Sequence, residues 1–227
     1  MWAIMKKEFK SYFLSPIGYI YIGAFLLICS LFFYIDMFSY QSTTFSNMFG
    51  STVTILTFIV PILTMRMFAE ERKNGTEQLL LTSPRSVTQL VLGKFLGAGL
   101  VVLVSTVLTV IYFFILKYFG QPQIGSTLVA MLGVFLLSMA YVSFGMLASS
   151  ITENQVVSAI ISIGFFMLLW FLPNIVTSLQ SFSLMYAFYS SFINGTISIT
   201  NLVLLLSFTV MCILFTMMVI QRRKNVK

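Results

Sequence analysis

The amino-acid sequence predicts an all-α polytopic membrane protein. It has six transmembrane helices, an N-terminal interfacial helix, a short cytoplasmic helix between the second and third spans, and a re-entrant outer segment before the last. Three observations carry this. The chain is 59% hydrophobic and 8% charged with a mean hydropathy of +0.99, far from the roughly 25% charged residues of an average soluble domain. Its apolar runs are long enough, at about 1.5 Å per residue, to cross the hydrocarbon of a bilayer. Twelve of the thirteen Lys and Arg fall on one side of the resulting topology, and only Lys117 falls on the other. By the positive-inside rule that side, with both termini, is cytoplasmic.

Residues 1–16 read as an imperfect amphipathic helix. Trp2, Met5, Phe9, Tyr12 and Phe13 follow helical spacing, with Lys7, Lys10 and Ser11 opposite and Ile4 breaking the polar face. Trp2, Lys6, Lys7 and Lys10 would anchor it at the headgroups of the lipid bilayer. Ser15-Pro16 and Gly18 then permit a bend into the first span, 17–36. That run is longer than a signal-peptide core and lacks a small-x-small cleavage site, so it is expected to be retained. Asp36 is expected to be a solvated acid at the outer end of this helix.

The second span, 51–68, contains Pro61, which should kink or locally unwind it. A cytoplasmic loop, 69–90, follows. In the third span, 91–117, Gly93 and Gly97 stand four residues apart and so open one face to a close helix contact. Gly93-Lys94 fails as a nucleotide loop, because Thr88 stands where glycine is needed and Phe95 where Ser or Thr would hold magnesium. The fourth span is 127–149. Thr152 to Gln155 has capping-box spacing and opens the fifth, 155–172, with Glu153 as a helix-start acid. The uncharged segment 173–200 is too apolar for a free loop and too interrupted for a span, so one or two short helices dipping into the outer leaflet are expected. The sixth span, 201–220, ends at Arg222, Arg223 and Lys224.

Function classes narrow by what is missing. The chain has no His, and Cys29 and Cys212 both sit in apolar runs, which leaves no catalytic His, zinc cluster or disulfide framework to expect. The fourteen Met are scattered, as packing residues are, and predict no metal path. A net charge of +7 arises at the ends of apolar runs, so it reports topology and not a nucleic-acid partner. No acid or base falls deep in a span, so neither an intramembrane enzyme nor an ion-coupled transporter is predicted. Phe165, Phe166 and Trp170 are expected to pack, although aromatics there would also suit a route for a lipid or peptide.

The interval from Arg66 to Gly97 stands apart. Five of the thirteen bases and three of the six acids lie in it, between apolar runs. Asn74-Gly75 signals a turn, and Thr76 can cap a short helix containing Glu77, Leu79, Leu80 and Leu81. Ser83-Pro84 stops that helix, and Ser86 to Gln89 forms a capping box that starts the next at Val87. Three adjacent leucines on so short a helix need an apolar partner, each being worth roughly 1.5–3 kcal/mol on burial. The loop is expected to be gripped by another protein, with the lipid headgroups as the plainer alternative.

The stretch AEERKNGTEQLLLTSPRSVTQLVLGKFLG resembles the signature region of ABC type-2 exporter permeases. In that family a glutamate pair, Gly-Thr-x-Glu, a leucine run, a proline and a downstream Gly-Lys occur in this order. The start, MKKEFKSYFLSPIGYIY, is similar to that family's start, and the six spans agree with it. Within the family the chain most resembles the small permeases of gliding-motility and copper-enzyme-maturation systems. The resemblance implies an elbow helix at 1–16, a coupling helix at 76–81 and an exit-gating re-entrant segment. It also implies an ABC ATP-binding subunit that contacts Glu70, Glu71, Gly75, Thr76, Glu77, Leu79, Leu80 and Pro84. No cofactor is expected in this chain; ATP and magnesium would belong to the partner ATPase, and a second permease subunit would complete the unit. A non-transporting scaffold or sensor that drives a periplasmic partner through the same contact is the second reading.

Overall fold

In the computed structural model, the described residues are 1–38, 45–76, 86–119, 123–175, 180 and 182–226. Among them the elements are helical throughout. The N-terminal helix α1 (Trp2–Leu14) leads through Ser15 into α2 (Pro16–Phe38), and α3 (Ser46–Thr64) is followed after a break by α4 (Ala69–Lys73). The third span is α5 (Val87–Leu108) and α6 (Val110–Phe119), separated only by Thr109. Then come α7 (Ile124–Ile151), α8 (Gln155–Ile175), the short α9 (Leu184–Ser190), a 3-10 turn at Phe192–Asn194, and α10 (Ile199–Val226). Six of these helical stretches are long and apolar enough to cross a membrane: Pro16–Met37, Ser46–Lys73, Val87–Tyr118, Ile124–Ile151, Gln155–Pro173 and Ile199–Lys224.

The centre of the bundle is α7, which packs against α3, α5, α8 and α10. It can do so because small residues line it. At Gly145 an added Cβ would run into Thr64 Oγ1, and at Gly133 it would lie 2.5 Å from Phe192 Cβ, so both close contacts depend on the missing side chain. Larger rings fill the space on the α8 side: Tyr141 stacks on Phe166 with centroids 4.0 Å apart, and Phe144 on Phe165 at 3.9 Å. Phe165 and Phe166 are thus packing residues. Trp170 is partly buried and leans on Phe171.

Several local expectations change. The helix carries on past Pro61 to Thr64, and it is at Met65–Phe68 that it gives way to turns. Proline removes only its own amide, so the residues before it still close the helix. The turn comes where Ser149 offers other partners. The cap of α8 also differs from the expected box: Asn154 Oδ1 accepts from the Val156 amide at 2.9 Å, while the Thr152 hydroxyl points back to Ala148 O. The outer segment does contain short helices, and α9 with the 3-10 turn buries Leu184, Met185, Ala187, Phe188 and Phe192 against the bundle. Asp36, expected to be solvated, is only 6% exposed, and it lines a cavity together with Tyr189 and Ile193 from that segment.

Candidate functional site

The site is built at the end of the bundle where the C-terminal ends of α3 and α7 meet α1, α4 and the start of α5. Its first part is a hinge-like break. Over Met65–Phe68 the backbone leaves the helix, and a fresh N-terminus begins at Ala69. A helix start inside protein has amides to satisfy. Ser149 of α7 supplies the partner: its Oγ accepts from the Phe68 and Ala69 amides, both at 3.0 Å, and donates to Met65 O at 2.9 Å. One hydroxyl thus closes both sides of the break and ties it to the fourth span.

The second part is a buried charge cluster. Lys94, on the second turn of α5, is 2% exposed, and its Nζ donates to Glu71 Oε1 of α4 at 2.7 Å and to Glu8 Oε1 of α1 at 3.2 Å. The Phe68 ring lies 5.2 Å from the same ammonium. A buried cation is tolerated only when paired and hydrogen-bonded, and two carboxylates from two other helices meet that requirement. The approach is set by glycine. A Cβ at Gly93 would lie 2.7 Å from Ile4 Cγ2, and one at Gly97 would lie 2.7 Å from Glu8 Cβ, so α1 lies directly on α5 along that face. Ile4 and Glu8 are four apart on α1, as Gly93 and Gly97 are on α5, and the two pairs fit together.

Around this cluster the arginines make a second tier. Arg66 donates to Ser11 O and Ser11 Oγ at 3.2 and 3.3 Å, stands over the Tyr12 ring at 5.1 Å, and lies 3.8 Å from Glu70. Burial raises the Tyr12 hydroxyl well above the usual tyrosine range, so it stays protonated. Arg72 donates to Ile151 O at 2.9 Å and to Glu153 Oε1 at 2.6 Å, which binds α4 to the turn between α7 and α8; Arg223 of α10 reaches the same carbonyl at 3.5 Å. A cleft of about 420 Å³ opens between α1 and α4, with Lys7, Ser11, Glu70, Asn74 and Thr76 among its walls.

α4 then ends at Asn74 and Gly75. Gly75 has φ +71°, the left-handed conformation that glycine adopts without strain, and the Thr76 hydroxyl donates back to Glu71 O at 3.2 Å. Glu77, Leu79, Leu80 and Pro84 lie outside the described residues. The chain is described again at Ser86, whose Oγ accepts from the Gln89 amide at 3.3 Å, and α5 starts at Val87 as its capping box predicts.

The structure thus brings Glu70, Glu71, Gly75 and Thr76 to one rim of the cleft. Gly75 and Thr76 are exposed, the Glu70 side chain is 44% exposed, and Glu71 turns inward to 18%. On α1, Lys6, Lys7 and Lys10 are exposed and Trp2 is 73% exposed, while Ile4, Met5 and Tyr12 are buried against the bundle. Sequence reasoning counted Lys94 among the bases of the 66–97 interval and in the Gly-Lys of the family signature, and rejected it as a nucleotide loop, but missed its buried pairing. The signal was the matched four-residue spacing on α1 and α5, which places Glu8 beside the turn that carries Lys94.

Chemically the cluster joins α1, α4 and α5. Among the described residues, no group of three or more His, Cys, Asp or Glu is placed to hold a metal ion. The chain matches the sequence model of a family described as "ABC-2 family transporter protein" over residues 2–225. No curated protein matches it.

Proposed function

This chain belongs to the ABC-2 transporter family, and from that premise we propose that it is the membrane-spanning permease of an ATP-driven exporter, worked through the segment that follows α4. ATP and magnesium are held by a separate ABC subunit, which docks on the exposed rim formed by Glu70, Gly75 and Thr76 together with Glu77, Leu79, Leu80 and Pro84. Glu71 supports that rim from behind through Lys94. Two permease subunits complete the unit, with the basic end on the cytoplasmic side of the cytoplasmic (inner) membrane. The substrate class that suits such a bundle is an amphiphile such as a lipid or peptide.

The observation that carries this reading is the family match across nearly the whole chain. The structure supports it by giving the loop a firm base: Ser149, Lys94 and Arg72 tie α4 to α7, α5 and α1, and to the turn before α8, so a push on the loop reaches four elements. A helix packed this way moves as a unit with its neighbours, as coupled transport requires.

Affinity purification of the tagged chain in mild detergent, with mass spectrometry and an ATPase assay, tests the proposal. An ABC ATP-binding subunit in stoichiometric amount, lost in a Leu79→Asp/Leu80→Asp variant that still inserts in the membrane, is the expected result. An ATPase that remains bound to that variant would count against the docking site.

A further inference from the structure

At the end of the bundle opposite the Lys94 cluster lies a second cavity, of about 520 Å³, between the C-terminal end of α2, the N-terminal end of α3 and the α9 segment. Asp36 faces it. Asn47 and Met48 lie beside the carboxyl group, and Oδ2 is buried with no hydrogen-bond partner among the described residues. The cavity presents further acceptors. Ser46 Oγ spends its proton on Ile193 O at 3.1 Å and keeps its lone pairs, while Tyr189 Oη spends its own on Gly50 O at 2.7 Å and, with Thr54 Oγ1 at 3.2 Å as a donor, keeps at most one further lone pair. Among the described lining residues there is no Lys or Arg. The rest of the lining is Ser51 with the apolar side chains of Phe32, Ile35 and Ile193.

This lining is assembled and not left over. Gly50 has no Cβ, and one placed there would lie 2.9 Å from Ile193 Cδ1 and 3.2 Å from the Tyr189 ring, so the α9 segment seats on α3 only because residue 50 is glycine. A side chain only 6% exposed, with one oxygen unpaired, is costly to hold as a carboxylate unless a donor of positive charge completes it. The space is far larger than one metal ion needs, and apolar walls beside a single carboxylate suit an organic cation.

We propose that this cavity is a binding site for an organic ammonium group, held by Asp36 with the lone pairs of Ser46 and Tyr189 and packed against Phe32. Two sources carry that chemistry, a free alkylamine and an aminophospholipid headgroup. The site is a property of this chain alone and stands whether or not an ATPase docks at the other end.

The test uses the purified full-length chain in dodecyl maltoside, with no amine in the buffer. Hexylammonium binding is followed by titration calorimetry with hexanol as neutral comparator, and phosphatidylethanolamine binding by native mass spectrometry with phosphatidylglycerol as comparator. We expect Asp36→Asn, which keeps shape and removes charge, to weaken ammonium binding roughly 10- to 100-fold, the worth of one charge-assisted hydrogen bond. Ser51→Phe, which fills the cavity and leaves Asp36 in place, should remove binding without depending on how Asp36→Asn folds. A response to phosphatidylethanolamine alone assigns a lipid headgroup, and a response to hexylammonium alone assigns a free amine; both support the site. If neither probe binds the native chain, or if both variants bind as it does, the proposal is overturned.

Discussion

Lys94 Nζ stands 2.7 Å from Glu71 Oε1, and through that contact the third span holds the short helix that leads to the exposed Gly75 and Thr76. The two residues are 23 apart in sequence, and Glu8, 86 residues before Lys94, completes the pair into a triad. Three helices therefore meet on one ammonium whose side chain is only 2% exposed.

Lys94→Met should be among the most damaging single changes at this end. It leaves Glu8 and Glu71 buried together without a cation, at a cost of about 3–5 kcal/mol. A Lys94→Met/Glu8→Gln/Glu71→Gln variant, with no charge left to bury, should recover much of that loss. Thermal melting of the detergent-solubilised proteins measures both, and an unchanged melting temperature for Lys94→Met would show that the triad does not hold the fold.

Gly97→Val should separate α1 from α5. Its first added carbon would already lie 2.7 Å from Glu8 Cβ and 3.4 Å from Met5 O, a backbone atom that has little room to give. A cost of about 1–3 kcal/mol is the usual range for overpacking. Limited proteolysis should release the first residues of the variant while the other spans stay intact; equal resistance to protease in both proteins would speak against the close approach.

Ser149→Ala removes three hydrogen bonds at once, two accepted from Phe68 and Ala69 and one donated to Met65. Because the amides stay buried, the loss is expected to be about 1–3 kcal/mol and to be local. Hydrogen exchange should accelerate at Phe68 and Ala69 with little change in α8. Exchange that stays slow at those two amides would place the cap elsewhere.

Much of this architecture is legible as pattern. Hydropathy marks six spans because a bilayer forces each into a helix of similar length, and Ser86 and Gln89 mark the start of α5 because a cap is a local bond. The short helices before the last span are equally visible, since seven large apolar residues between Phe182 and Phe192 cannot remain in water. What the pattern does not carry is tertiary. Asp36 looks solvated at the end of its helix, yet it is buried beside a cavity that Tyr189 and Ile193 from a distant part of the chain also line. Lys94 reads in the sequence as the end of a Gly-Lys pair, and nothing local says that α1 lays Glu8 beside it. The break at Met65–Phe68 likewise follows a hydroxyl on α7, while the sequence points to Pro61.

The central claim is that an ATP-binding subunit docks where α4 ends, and site-specific photo-crosslinking tests it most directly. A benzophenone amino acid is placed at Thr76, exposed on the rim of the cleft, and in a second protein at Ile124, which is 60% exposed at the opposite end of the bundle. The account predicts an adduct between the Thr76 probe and an ABC ATP-binding subunit in membranes, and none from Ile124. An adduct from Ile124, or an ATPase that co-purifies yet is never captured from Thr76, would contradict it.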